Sequence, residues 1–239
     1  MNSPNHILRV YDEVLGQLHG DVSHICRLAV QNLGGAARGL REHAVEPCLR
    51  AIVDDEEVNA LEKAIDARGV EILTRFQPVA RDLRFVIAAM RAAANLERVS
   101  DEAKNIARRG RTLIEAGFFW EEEKLAALFD MAQVELADAV QSFLSSDMEA
   151  ARGLRAKDKI LDARHKEMIA LLSQQMAEQP AHTTHFLALL LIVRGLERVG
   201  DHAKNIAEEA IFLNEAQDVR YPNNHSSQTP AHEAPPEAS

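Results

Sequence analysis

Residues 96–107 read LERVSDEAKNIA and residues 196–207 read LERVGDHAKNIA, with ten of the twelve positions identical. Identity of that density, one hundred residues apart, marks a duplicated unit. A duplication restricts the fold severely, because whatever surrounds the first copy must be able to form twice. The surroundings do correspond. A helical pattern over about 53–76 leads to Gln77-Pro78 before the first copy, and a like pattern over about 158–178 leads to Gln179-Pro180 before the second. Proline opens a helix at little cost, since its missing N–H would have no intrahelical partner there. Each repeat is therefore expected to end in a helix–proline–helix hairpin.

Each repeat also has a leading helix. The first spans about 7–41, with Gly34-Gly35 as an expected weak point. The second spans about 121–145, where Leu125, Leu128, Phe129, Ala132, Leu136 and Val140 recur at three- and four-residue steps. The segment Ala116-Gly117-Phe118-Phe119-Trp120 separates the halves. Helices joined by short turns in this order describe an all-α chain of two antiparallel three-helix bundles related by internal duplication. The expected limits are 1–115 for the first bundle, 118–217 for the second and 218–239 for a tail. That tail is rich in Pro, Ser, Asn and His and is read as disordered, with His225 and His232 solvated.

Composition narrows the function classes. Hydrophobic residues make up 46% of the 239, enough for a core, and aromatics only 5%, a balance that favours helices. The formal net charge of −10 argues against nucleic acid, whose phosphates are held by Lys and Arg, and suits cations or basic protein surfaces. Cys26 and Cys48 lack metal-site spacing and are read as reduced, partly buried thiols. The N-terminus carries no basic start followed by an apolar stretch. The longest apolar run, Phe186–Val193, is far short of the roughly 20 residues that span a bilayer. A cytoplasmic protein that meets membranes only through partners is expected.

The duplicated motif carries acids at helical spacing. Glu97 and Asp101, and again Glu197 and Asp201, lie four residues apart, on one helix face with Cβ atoms about 6 Å apart. They lie roughly opposite the local apolar stripe, Leu96, Val99, Ala103 and Ile106 in the first copy, and so toward the bundle exterior. Left alone, each pair repels by a few tenths of a kcal/mol. A hard cation such as magnesium, manganese, calcium or iron would reverse that sign. The preceding helix offers Asp158 and Asp162 in repeat two, and Asp55 and Asn59 at the matching positions of repeat one. A solvated charged face, with Lys104, Arg98, Lys204 and Arg198 as ion-pair partners, is the alternative. His202, where the first copy has Glu102, is expected at the surface.

LERVSDEAKNIA and LERVGDHAKNIA, with QPVARDLRFVIAAM and DDEEVNALEKAID before the first, closely resemble the PhoU family over roughly residues 7–215. The resemblance implies a fold of two three-helix bundles, in agreement with the reading above. It implies that Glu97, Asp101 and Asp55, with Asn59 standing where an Asp is expected, line one metal cluster. It implies a second cluster on Glu197, Asp201, Asp158 and Asp162, holding iron, manganese or magnesium. It implies a negative regulator of the phosphate-starvation response that contacts the ATPase subunit of the phosphate ABC transporter and the phosphate-sensing histidine kinase, and that commonly forms a homodimer. Inorganic phosphate as a further ligand of the metal is a hypothesis added to that.

Two rival classes differ in their sequence requirements. A di-metal carboxylate oxidase builds its site from Glu-x-x-His on facing helices, and the chain contains no Glu-x-x-His. Nor does it contain a Gly-rich phosphate loop. An enzyme is therefore not expected, and no catalytic residue is assigned. A scaffold whose acids hold no metal is the other rival, and metal content separates it from the first reading; a metal-binding helical scaffold serving another phosphate carrier is a further alternative.

Overall fold

The computed structural model describes residues 4–120, 123–217 and 219. The expectation of a disordered tail falls, apart from residue 219, outside the described residues. Six α-helices follow one another: α1 (Pro4–Glu42), α2 (Val45–Phe76), α3 (Ala80–Glu115), α4 (Glu123–Ser145), α5 (Met148–Glu178) and α6 (Thr183–Glu215). A short 3-10 turn at Pro180–His182 precedes α6. No strand occurs among the described residues.

The leading helix shows why the chain folds this way. Leu18, Val22, Ile25, Ala29, Leu33 and Ala36 recur at three- and four-residue steps along α1, and all are buried. Full burial of one such Leu or Ile side chain is worth about 1.5–3 kcal/mol. In consequence α1, α2 and α3 pack mutually as one bundle, and α4, α5 and α6 as another. Met168 is buried, while Met90, Met131 and Met176 pack against the core as adaptable filler. Cys26 and Cys48 are both buried free thiols, and burial pushes that of Cys26 up to about 12.

Three local expectations shift. Helix α1 runs through Gly34-Gly35 without a break. The small residues there serve close approach instead: a Cβ on Gly35 would lie 3.2 Å from the Pro47 carbonyl oxygen, and one on Gly39 would collide with Cys48 Sγ. Helix α2 begins at Val45 and α5 at Met148, each earlier than expected, with burial regular from the first turns at Cys48, Ala51 and Asp55 and at Ala151, Leu154 and Asp158. The start of α5 is defined by Asp147, whose side chain accepts a hydrogen bond from the Ala150 N–H, a local cap. Pro78 sits two residues before α3, with Gln77 in the left-handed region ending α2, while Pro180 opens the 3-10 turn that leads into α6 as expected.

The two bundles are joined mainly through α3 and α6, which run antiparallel against each other. The direction is set by cross-helix pairs. Arg84 Nε donates to the Leu213 carbonyl at 3.1 Å and Arg91 pairs with Glu209 at 3.5 Å. Asn95 meets His202 at 3.1 Å, and Glu102 pairs with Arg198 at 2.9 Å. The helices bearing the duplicated motif are thus the shared centre of the molecule, and each motif lies beside the opposite repeat.

Candidate functional site

Helix geometry places Glu97, Asp101 and Lys104 along one face of α3, at successive steps of four and three residues. Helix α2 packs beside that face and brings Asp55 and Asn59 to it. Asp55 is fully buried. A buried carboxylate must find partners or lose its charge. It finds two: Lys104 Nζ donates to its Oδ2, and Asn59 Nδ2 donates to the same oxygen at 3.2 Å. The Lys104 ammonium also lies 3.7 Å from Asp101 Oδ1. The hydrogen bond from Lys104 to Asp55 holds the lysine above its ordinary pKa. Glu97 sits beside this group, its carboxyl raised by burial and then by the Asp101 carboxylate.

Repeat two builds the same arrangement. Lys204 Nζ donates to Asp158 Oδ2 on α5 at 2.9 Å and to Asp201 Oδ1 on α6 at 2.7 Å. Burial alone would lower the pKa of this lysine, but its two hydrogen-bonded carboxylates outweigh that and raise it. Glu197 is raised by burial and then by Asp201, with Asp162 also facing it. All eight acidic and amide positions singled out in the sequence therefore lie on two matching faces. The distribution between exposed and buried differs from the expectation of an exterior cluster: Asp55 and Asp158 are buried, whereas Asp101 and Asp201 are about half-exposed.

One acid escaped the sequence reading. Glu135 on α4 is buried, and its Oε2 has no hydrogen-bond partner. Burial, then the carboxylates of Asp158 and Asp162, raise its carboxyl from 4.5 to about 7. Gly200 makes the room it needs: a Cβ there would lie 3.1 Å from Glu135 Oε2. In the first repeat Ser100 stands in place of Gly200, and Asn32 on α1 donates a hydrogen bond to its hydroxyl at 2.9 Å. A neutral Asn–Ser pair thus occupies one bundle where the other holds a buried carboxyl behind a glycine. The signal was a charged residue inside the apolar stripe of α4, between Ala132 and Leu136.

The crossing of α3 and α6 supplies a second polar group. His202 is half-buried rather than on the surface, with Nδ1 at 3.1 Å from Asn95 Oδ1. Asn205 Nδ2 donates to the same oxygen at 3.2 Å. Burial, then Arg198, lowers the pKa of His202. The partner, Asn95, comes from α3 of the other repeat, a contact that local sequence does not show.

Whether these donors fit a metal is a question of spacing. Among the described residues, no group of three or more His, Cys, Asp or Glu side chains is arranged to hold a metal ion. On each face two of the carboxylates, Asp55 and Asp101 or Asp158 and Asp201, lie within 4 Å of an ammonium group instead. As arranged, the donors do not fit a metal cluster.

Comparison with known proteins agrees with the fold. The family model described as "PhoU domain" matches residues 22–110 and again 125–210. The chain is 32% identical over 215 residues to a "Phosphate-specific transport system accessory protein PhoU homolog" of Xylella fastidiosa strain Temecula1, covering 89% of each. It is 33% identical over 202 residues to the homolog so named of Pseudomonas aeruginosa, covering 78% of this chain and 82% of that one. The crystal structure of PhoU from Pseudomonas aeruginosa superposes with a TM-score of 0.82 at 29% identity, covering 87% of this chain and 100% of the other. That of the phosphate transport system regulatory protein PhoU from Streptococcus pneumoniae gives 0.77 at 25%, covering 88% and 100%. Two matched domains, six helices in the same arrangement and relatives above 30% identity over most of the chain give one answer: the chain belongs to the PhoU family.

Proposed function

We propose that this protein is an accessory and regulatory component of phosphate uptake that works by docking on partners, not by turnover. The observation that carries the reading is the match of both repeats to the PhoU domain, with relatives named as accessory proteins of the phosphate-specific transport system. Two physical features support docking. Helices α3 and α6 lock the two acidic faces into one body, which suits a rigid recognition surface. The net charge of −10 favours basic partner surfaces and steers them from a distance. Among the described residues no helix is long and apolar enough to cross a membrane, so contact with a transporter would be through its peripheral parts.

The finer role we propose is negative regulation of the phosphate-starvation response on the cytoplasmic side. The proposed partners are the transporter's ATPase subunit and the phosphate-sensing histidine kinase, met by a homodimer. No metal-dependent step is needed for it. Deleting the gene tests the reading: a phosphate-starvation reporter should switch on in phosphate-replete cells, and the purified chain should capture the ATPase subunit. A deletion that leaves both the reporter and phosphate uptake unchanged would overturn it.

A further inference from the structure

We propose that Lys104 and Lys204 are the resident cations of the two acidic faces, each ammonium group standing where a metal ion would have to sit. The argument begins with Asp55 and Asp158, buried carboxylates on the second helix of each repeat. Removing either from water is costly unless an opposite charge goes with it. In both repeats that charge is the lysine three residues beyond the motif aspartate. Lys204 reaches Asp158 on α5 at 2.9 Å and Asp201 on α6 at 2.7 Å, so one ammonium is shared by acids from two helices and ties the helices together. An ammonium suits this position because its three N–H donors can serve several oxygens at once.

The same geometry excludes a shared metal. A hard cation binds carboxylate oxygens at roughly 2.0–2.6 Å. An ion bridging Asp158 Oδ2 and Asp201 Oδ1 would have to enter the volume already held by Lys204 Nζ. Two positive charges cannot share that volume, so metal entry requires the lysine to leave. Hydrogen bonds to both carboxylates oppose its leaving. The first bundle repeats the buried half of this arrangement: Lys104 donates to Asp55, while its ammonium stands 3.7 Å from Asp101 without a hydrogen bond. Each acid pair that suggests a metal cluster thus already shares one cation supplied by the chain itself.

Titration of Mn²⁺ or Fe³⁺ into the purified full-length protein, followed by calorimetry and elemental analysis after desalting, tests this independently of any regulatory role. The wild type is expected to give no saturable binding, and its melting temperature should not move on adding chelator. Saturable binding that Asp201→Asn or Asp158→Asn abolishes would overturn the proposal. Lys204→Met is the positive arm: freed of its ammonium, the second face should bind Mn²⁺ saturably where the wild type does not, and Mn²⁺ should raise the variant's melting temperature. If Lys204→Met loses its helicity without metal, recovery of the circular dichroism signal on adding Mn²⁺ reads the same gain. A variant that stays folded and gains no affinity counts against the proposal.

Discussion

Glu135 and Asp55 are both buried acids, yet they solve the problem of burial differently. Asp55 keeps its charge by holding Lys104 and Asn59, whereas Glu135 is pushed up to about 7 by burial and by Asp158 and Asp162. A carboxyl whose folded-state pKa lies above its unfolded value binds its proton more tightly in the folded chain. Its contribution is therefore full below the ordinary value of 4.5 and is lost as pH rises toward about 7. Stability should accordingly fall across that window, and Glu135→Gln should flatten most of the fall. Chemical denaturation is expected to show the variant more stable than the wild type by about 1–3 kcal/mol near pH 8 and equal to it near pH 4. For Asp55 the opposite holds: Asp55→Ala strands Lys104 and should cost about 3–5 kcal/mol. Asp101→Ala, removing a half-exposed partner of the same lysine, should cost about 1 kcal/mol or less. Urea denaturation of the two variants side by side separates the buried pair from the surface one.

At the scale of helices, the two repeats differ at one packing contact, and that contact can be exchanged. Gly200 on α6 faces Glu135 on α4, while Ser100 on α3 faces Asn32 on α1. Placing serine at position 200 puts a Cβ 3.1 Å from Glu135 Oε2, and overpacking of this kind costs about 1–3 kcal/mol. Combined with Glu135→Asn, Gly200→Ser should regain much of that loss, because the pair then reproduces the hydrogen bond seen in the first bundle. A double-mutant cycle is expected to show a favourable coupling of about 0.5–3 kcal/mol, and simple additivity would mean that the two contacts are not equivalent. The hairpin of α1 and α2 makes a similar demand. A Cβ on Gly39 would meet Cys48 Sγ and the Ala44 carbonyl, so Gly39→Ala should lower the melting temperature although alanine is the better helix former.

For the whole molecule, the antiparallel packing of α3 on α6 determines how many cooperative units there are. Each of these helices belongs to the core of its own bundle and to the seam between bundles. Calorimetry of the full chain is expected to give one unfolding transition, since neither bundle can open without exposing the seam. Two well-separated transitions would show that the repeats are energetically independent.

Much of this architecture was legible before any coordinates. Helical periodicity is a local property, so apolar residues three and four apart, such as Leu128, Ala132 and Leu136, announce a buried face directly. The duplication showed that there are two bundles, and the spacing of Glu97, Asp101, Glu197 and Asp201 showed that each pair shares a face. What partners those faces have is not local. The lysines appeared in the sequence as surface ion-pair candidates beside the acids, and only the packing of α2 on α3 and of α5 on α6 brought them onto buried aspartates. Glu135 looked like one charge in an apolar stripe until Gly200, sixty-five positions later, was found to make space for it. The sequence by itself determined the helices, their pairing into two equivalent bundles and the family. The tertiary structure alone decided the charge balance of the acidic faces, because the cost of burying a carboxylate depends on what another helix places beside it.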